Sequence, residues 1–285
     1  MKSITFLILA FLSTWLIVIA ASLAGIDAGS PWAVAVLSIS MAGPAFAALT
    51  CALLFERGRL LEVLGLRFRP NLWWLLAWLA PIAIAGLAIA ITGLFSNHPI
   101  TDPGLAAIEA AAAQNPAEAE QLSAIPNLGV LLVLAAVTIG AITNAILLTL
   151  TEEIGWRGYL HALWRPAGFW RASFATGLVW GLWHAPAVYL FGHHYPGMGY
   201  AGVALLVLYC LLLSPLFTLI RDRGGSAWAA GLLHGGYNAL APIAAAALAH
   251  AAFPWNGMFG VGGFLALTLC LAAIAAFAPK HTSAP

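Results

Sequence analysis

Apolar runs long enough to cross a lipid bilayer recur along nearly the whole chain. Of the 285 residues, 62% are hydrophobic and only 7% are charged, whereas an ordinary soluble domain carries roughly 25% charged residues. A helix needs about 20 apolar residues to cross the hydrocarbon core. This pattern predicts an all-α polytopic transmembrane bundle of about eight helices, with residues 1–285 forming a single membrane domain. The runs lie at 4–24, 32–55, 72–95, 128–150, 172–191, 200–220, 227–250 and 260–278.

The basic residues are distributed unevenly between the predicted loops. Short cytoplasmic loops retain lysine and arginine, and the predicted crossings put every basic residue on one side. We therefore predict that both termini are cytoplasmic, and we expect the protein in the plasma (inner) membrane of a bacterium. The opposite side receives the acidic segment 96–126, predicted to form an extracytoplasmic helix from 105 to 122. The basic residues are Lys2, Arg57, Arg59, Arg67, Arg69, Arg157, Arg165, Arg171, Arg221, Arg223 and Lys280.

Charge and cysteine usage exclude two kinds of site. The net charge is only +1, and no cluster of lysine and arginine is interleaved with aromatic residues, so we predict no nucleic-acid partner. Membrane lipid is the expected surrounding partner. Cys51, Cys210 and Cys270 each lie in an apolar run, without the paired spacing of a metal site or a disulfide framework. We predict free thiols.

Ionisable side chains at membrane depth are the strongest indicators of function, because each is costly unless it is paired or hydrated. Glu152, Glu153 and Arg157 continue the fourth run without a helix breaker. In an α-helix Glu153 and Arg157 are four residues apart and can pair, while Glu152 points about 100° away. We predict a structural carboxylate at Glu153 and an available one at Glu152.

Two further polar clusters lie in later runs. His184 is about twelve residues into the fifth run, and Trp180 precedes it by one turn on the same face. His234 and Asn238 lie four apart in the seventh run and share a face. The two glycines between them allow another backbone or a substrate to approach closely. A lone histidine in a membrane helix is often only an interhelical hydrogen-bonding group, so the interpretation depends on all the clusters together.

A carboxylate, two imidazoles and an amide are the groups needed to hydrolyse a peptide bond. Glu152 could take a proton from a water molecule that His184 orients, and His234 and Asn238 could donate hydrogen bonds to the oxyanion. Glu152, His184 and His234 could instead bind a divalent metal such as zinc, with water at an open position. Both histidines are expected in the cytoplasmic half of the bilayer. Glu152 lies near the end of its run, so the fourth helix must be tilted or longer for these groups to meet.

These clusters resemble the motif set of the CPBP family, the CAAX prenyl endopeptidase and bacteriocin-processing (Abi) intramembrane proteases. The family pattern is Glu-Glu-x-x-x-Arg, then Phe-x-x-x-His, then His-x-x-x-Asn or Asp, on successive membrane helices. The resemblance covers about 150–240, and one position departs from the pattern because tryptophan stands in place of phenylalanine. The three motifs read Glu152-Glu153-x-x-x-Arg157, Trp180-x-x-x-His184 and His234-x-x-x-Asn238.

The resemblance implies an intramembrane endopeptidase whose catalytic helices lie within about 128–250. It implies a conical cavity that opens to the cytoplasm, with cleavage near the cytoplasmic half of the membrane. Substrates would be hydrophobic or lipid-modified peptides or proteins, either CAAX-type or leader-peptide-like. Both a zinc mechanism, which would make the protein a metalloendopeptidase, and a metal-free glutamate mechanism have been argued for the family.

The resemblance also implies a role for each motif residue. Glu152 and His184 would activate water, and His234 and Asn238 would form the oxyanion site. Glu153 and Arg157 would support the site from behind, and Trp180 would supply an aromatic wall.

Two other functions would use the same residues. An ion or metal transporter would use the glutamates and histidines as a relay, but it would also predict pseudo-symmetric halves, and the sequence shows no clear repeat. A non-proteolytic scaffold or immunity protein would use them only to hold helices together. His193 and His194 are expected near a membrane interface, where water satisfies their hydrogen bonds.

Overall fold

The computed structural model describes residues 1–96, 98–249 and 251–277, and this part of the chain is helical and contains no strand. The predicted all-α class is confirmed. Lys280, which contributes to the predicted orientation, lies outside the described residues. The α-helices are α1 (Lys2–Leu23), α2 (Ala33–Ser40), α3 (Gly43–Phe55), α4 (Leu60–Val63), α5 (Leu72–Phe95), α6 (Pro103–Ala112), α7 (Pro116–Ser123), α8 (Leu128–Ala135), α9 (Ala141–Leu148), α10 (His161–Trp164), α11 (Phe169–Trp183), α12 (Ala185–Phe191), α13 (Gly199–Gly224), α14 (Ala227–Ala247) and α15 (Val261–Phe277).

Five of the helical stretches are long and apolar enough to cross a membrane. They correspond to the first, second, third, fourth and sixth predicted runs. The fifth run is interrupted and forms α11 and α12. The seventh run forms α14, which is less apolar, and the eighth forms the shorter α15. The figure of eight crossings therefore stays a prediction. The five stretches are Lys2–Leu23, Ala33–Phe55, Leu72–Phe95, Leu128–Ala167 and Gly199–Gly224.

The fourth helix is longer than predicted and differs in type where the glutamates lie. It runs without interruption over Leu128–Ala167, so Glu152 lies well inside the helix. The expectation of ordinary α-helix around this residue is wrong, because Thr149–Leu160 is π-helical, as is the shorter Ala136–Gly140. A π-helix bonds each N–H to the carbonyl five residues earlier, and π-helical turns occur frequently at functional sites.

The fifth run is broken at His184. Pro186 has no backbone N–H and cannot continue the ladder of an incoming helix, so α11 ends at Trp183 and α12 begins at Ala185. At the break, the His184 backbone N–H donates to the carbonyl of Gly181, three residues earlier, at 3.2 Å. The tighter turn leaves the Trp180 carbonyl, four residues before His184, available to another donor.

Close packing of α14 on α9 depends on glycine. A Cβ added at Gly235 would lie 2.8 Å from the Cα of Ala145 and closer still to the Ala145 backbone nitrogen. Gly231 faces Thr149 in the same way. The close backbone approach that the glycines beside His234 predicted is therefore found between these two helices, and it brings α14 against the helix that carries the glutamates.

The loops with most basic residues meet at one end of the bundle. Lys2 pairs with Glu56 at 2.5 Å, which joins the start of α1 to the end of α3. Arg165 pairs with Asp222 at 2.6 Å, and the Ser226 hydroxyl donates to the Gly65 carbonyl at 3.1 Å. This clustering agrees with the predicted placement of the basic loops on a single side. The cytoplasmic assignment of that side stays a prediction.

The acidic segment between α5 and α8 forms two helices instead of the single helix predicted over 105–122. Pro116 starts a new helix, α7, because proline favours the first turn of a helix. The Asp102 carboxylate caps α6 by accepting from the backbone N–H of Gly104 at 2.7 Å. Helix α6 packs against α8 and α14, so the segment rests on the bundle and also links its helices.

Candidate active site

One cavity brings together the polar residues that the motifs predicted. Glu152, Trp180, His184, His234 and Asn238 all line it. They come from the π-helical part of the fourth helix, from α11, from the break that follows it and from α14. About 120 Å³ of the cavity is open to a water-sized sphere, and a single water needs about 10–15 Å³. Several water molecules therefore fit beside these side chains.

The Glu152 carboxylate is buried and held by one hydrogen bond. The residue is 3% exposed, and its Oε2 accepts from the indole Nε1–H of Trp180 at 3.0 Å. Its Oε1 accepts no hydrogen bond from the residues that the structure describes. Because Glu152 lines the cavity, this oxygen is available to a water molecule there.

Glu153 lies behind the cavity and joins two helices. Its Oε1 accepts from Arg157 Nη1 at 3.1 Å, which is the predicted ion pair. The same oxygen accepts from His234 Nδ1 at 2.9 Å, a contact that the spacing of the motifs did not predict. All three residues are buried. Glu153 therefore fixes the orientation of the His234 ring from the side opposite to the cavity.

The Arg157 guanidinium is enclosed by aromatic faces. It lies 4.4 Å from the ring centroid of Trp180 and 4.1 Å from that of Phe217. Its Nε and Nη2 have no hydrogen-bond partner among the described residues. The negative faces of the two rings attract the cation where those hydrogen bonds are missing, so Trp180 is packed between a buried cation and the cavity.

The tautomer of His184 is set by the break in the fifth run. Its Nδ1 lies 2.8 Å from the Trp180 carbonyl oxygen, and because a carbonyl only accepts, Nδ1 carries the proton. In the neutral ring Nε2 is then an acceptor. His184 therefore faces the cavity with a lone pair that can accept a hydrogen bond from water.

Asn238 occupies a different position from the other motif residues. Its side chain is exposed, and it lines both the main cavity and a neighbouring one formed by the second half of α14 and the turn before α15. It forms no side-chain hydrogen bond with the described residues. The amide is thus free to bind a molecule that reaches the site from either cavity.

Two histidines outside the motifs also line the main cavity. His193 and His194 follow α12, and the ring of His193 stacks on that of His184 at a centroid distance of 6.0 Å. Enclosure lowers the pKa of His193 to about 4, because burial disfavours the charged ring, so the ring is neutral at pH 7. The sequence predicted a membrane interface for both histidines and did not predict that they line this cavity. The sequence feature that could have indicated this position is a pair of adjacent histidines that begins nine residues after His184.

The three residues considered as zinc ligands share the cavity but do not form a metal site in this arrangement. Among the described residues, no group of three His, Cys, Asp or Glu side chains has the geometry to hold a metal ion. Glu152 Oε2 accepts from Trp180 and His234 Nδ1 faces Glu153, which leaves Glu152 Oε1, His184 Nε2 and His234 Nε2 as the atoms that a metal would bind. Zinc binding stays a prediction.

The fold and this cavity define an α-helical membrane protein with a site of one carboxylate, two imidazoles and an amide. The model of the family described as type II CAAX prenyl endopeptidase Rce1-like matches residues 125–240. That segment contains all three motifs, and the match supports the resemblance to the CPBP family. No curated protein and no solved structure matches the chain.

The match supports a general class, the CAAX-type intramembrane proteases. The apolar helices of the chain agree with a place in the membrane. The helices before 125 and after 240 lie outside the match. Among them, α1 contributes Thr14 and α2 contributes Ser40 to the cavity wall, so the site also uses parts of the chain beyond the matched segment.

Proposed function

We propose that this protein is an intramembrane endopeptidase that hydrolyses a peptide bond with water activated by Glu152. The observation that carries the proposal is the buried Glu152 carboxylate, which has one oxygen held and the other open to a cavity shared with His184 and His234. A general base must lie within hydrogen-bonding reach of the proton it removes. A water molecule in this cavity can meet that requirement.

In the first step Glu152 Oε1 takes a proton from water while His184 Nε2 accepts a hydrogen bond from the other O–H of the same water. The remaining hydroxide oxygen attacks the carbonyl carbon of the scissile bond, and the carbonyl oxygen becomes an oxyanion. In the second step the C–N bond breaks, and protonated Glu152 gives its proton to the leaving amine. Glu152 thus acts first as base and then as acid.

His234 and Asn238 are proposed to bind the oxyanion. The Asn238 amide N–H₂ is a neutral donor with no partner among the described side chains. His234 donates from Nδ1 to Glu153, so donation to the oxyanion from Nε2 requires the imidazolium form, for which the Glu153 carboxylate is the counter-ion. Donors directed at developing charge in an enclosed site contribute strongly to catalysis.

The proposed substrates are hydrophobic or lipid-modified peptides of the CAAX or leader-peptide type, cleaved within the bacterial plasma membrane. Much of the cavity wall is apolar, including Leu37, Met41, Leu206 and Leu213. Such a wall favours an apolar segment and disfavours a charged soluble peptide. This choice of substrate also follows the family description.

The test compares purified wild-type protein with Glu152→Gln and His234→Ala on membrane-tethered hydrophobic peptides, some carrying a prenylated CAAX end and some a leader sequence. We expect Glu152→Gln to lower the cleavage rate at least about 100-fold, because general-base catalysis typically contributes 10²–10⁴-fold. Glu118→Gln, an exposed glutamate of α7, is the matched control and should cleave like the wild type. A chelator arm reports whether a metal is needed.

Two outcomes would contradict the proposal. Cleavage that survives Glu152→Gln would remove this residue as the base. A folded wild-type protein that cleaves none of the peptides, with or without added zinc, would favour the scaffold or transporter functions that the same residues allow. Ion flux into vesicles containing the protein would then distinguish those two.

A further inference from the structure

The motifs depart from the family pattern at one position, Trp180. Within the described residues, Trp180 is the one side chain that donates a hydrogen bond to Glu152. Tryptophan stands at 180 where the pattern has phenylalanine, and its Nε1–H donates to Glu152 Oε2 at 3.0 Å. Phenylalanine has the aromatic ring but no donor. The departure therefore adds a polar contact to a buried carboxylate, beyond the aromatic wall that the sequence implied.

A buried carboxylate without a donor is unfavourable and can turn about its terminal torsion, because terminal sp³–sp² torsions have broad preferences. A hydrogen bond to Oε2 limits this rotation and leaves Oε1 toward the cavity. A hydrogen bond in which one partner is charged is also stronger than a neutral one. The indole thus selects which oxygen meets water.

The Trp180 side chain is itself well fixed. One face lies against the Arg157 guanidinium at 4.4 Å, and Phe217 and His234 pack edge-on at centroid distances of 5.3 and 5.4 Å. Its exposed fraction is only 3%. An indole held in this way presents its N–H in one direction.

The main chain of the same residue orients the second group of the proposed site. The Trp180 carbonyl accepts from His184 Nδ1 at 2.8 Å, which directs the His184 Nε2 lone pair into the cavity. Side chain and backbone of one residue therefore hold both groups that would contact the attacking water.

We propose that Trp180 is a positioning residue for the general base: its indole N–H holds Glu152 Oε2 so that Oε1 faces the water. The inference rests on the proposed function. It assigns to Trp180 a role that phenylalanine at this position cannot perform.

The test removes the N–H in two ways. Trp180→Phe keeps an aromatic ring, and replacement of Trp180 by 3-benzothienylalanine keeps the bicyclic shape without the N–H. We expect both to lower kcat about 10- to 100-fold, the range that corresponds to one hydrogen bond to a charged group, with KM changed less than about threefold since substrate contacts are kept. Trp164→Phe is the control, because it loses an indole donor to Ser3 and neither residue lines the cavity.

A second readout does not depend on activity. NMR spectra are recorded on protein labelled with ¹⁵N-tryptophan. The indole N–H resonance that is absent from the spectrum of Trp180→Phe is assigned to Trp180. That resonance should shift in Glu152→Ala, while the Trp164 resonance stays in place. Unfolding midpoints establish that the variants are folded.

The results separate the two proposals. If the wild type is active and Glu152→Gln is not, unchanged kcat in the benzothienyl protein overturns the role of Trp180 and leaves the proposed function intact. If the Trp180 indole resonance does not shift in Glu152→Ala, the role of Trp180 is overturned as well, whether or not the protein cleaves peptides. Wild-type protein without cleavage activity overturns the proposed function itself and, with it, the positioning role.

Discussion

At the scale of single residues, Glu153 is the hub of the polar network behind the cavity. One oxygen accepts from both Arg157 and His234, and the residue has no exposed surface. Helical spacing predicted the first contact, because residues four apart share a face. The second contact joins positions 81 apart in the chain, and no local pattern encodes it.

Removal of the charge on Glu153 should destabilise the protein. Glu153→Gln keeps the shape of the side chain but leaves the buried Arg157 cation without a counter-ion, and breaking a buried pair typically costs about 3–5 kcal/mol. Denaturant unfolding in detergent measures the change. Glu62→Gln is the control, because its partner Arg59 and Glu62 itself lie on the surface; we expect no measurable change there. Equal stability of the two variants would contradict a stabilising role for the buried pair.

At the scale of elements, two local features shape the site. The π-helical turn over Thr149–Leu160 carries both glutamates, and the break before Pro186 frees the carbonyl that orients His184. A proline in an apolar run indicates an interruption. The orientation of the His184 ring depends on where the His184 N–H and the carbonyls of Gly181 and Trp180 lie. Hydropathy gives no information on those positions.

The contact of α14 with α9 gives a prediction at this scale. Gly235→Ala would place a methyl group 2.8 Å from the Ala145 Cα, so α14 must move away, at a cost of about 1–3 kcal/mol for overpacking. His234 moves with α14, and we expect cleavage to fall together with the unfolding midpoint. Gly86→Ala on α5 is the matched control, because nothing lies within 4 Å of its added Cβ. A Gly235→Ala protein as stable and active as the control would contradict this account of the packing.

At the scale of the whole molecule, charge and cavity define opposite ends of the bundle. Most basic loops meet at one end. The cavity wall, by contrast, includes His193, His194 and Phe259, which lie in the turns after the fifth and seventh runs. Along the chain these turns alternate with the basic loops, so the predicted crossings put them on the other side. The cavity therefore reaches toward the end away from the basic loops, whereas the resemblance implied a cytoplasmic opening. That opening stays a prediction.

Reporter fusions test the orientation on which these assignments depend. Alkaline phosphatase, which folds outside the cytoplasm, should be active when inserted after Gln121 in the acidic segment. Green fluorescent protein should fluoresce when inserted after Leu66 in the arginine-rich loop, because arginine is retained in the cytoplasm. The two reporters exchanged between these sites serve as controls. Activity in the exchanged pattern would reverse the predicted orientation.

Much of the fold and the candidate site could be predicted from particular residues. The limits of α5 were predicted at 72–95 because the run is uniformly apolar, and the structure adds that Asn71 caps the helix. Six of the motif residues were identified because ionisable and polar groups are rare at membrane depth, and Trp180 was identified because it lies one turn before His184. The cavity positions of His193 and His194 were not predicted, because a turn that lines a cavity and a turn exposed to water have the same local composition.

The sequence by itself determined that this chain is a helical membrane protein with an acid–imidazole motif set, because membrane insertion sums contributions from the residues of each segment. Only the tertiary structure decided which groups meet. Trp180 reaches Glu152 across 28 positions, and Glu153 reaches His234 across two packed helices. Such contacts depend on how closely helices approach each other. That distance is set by packed pairs such as Gly235 and Ala145, which come into contact only when the chain folds.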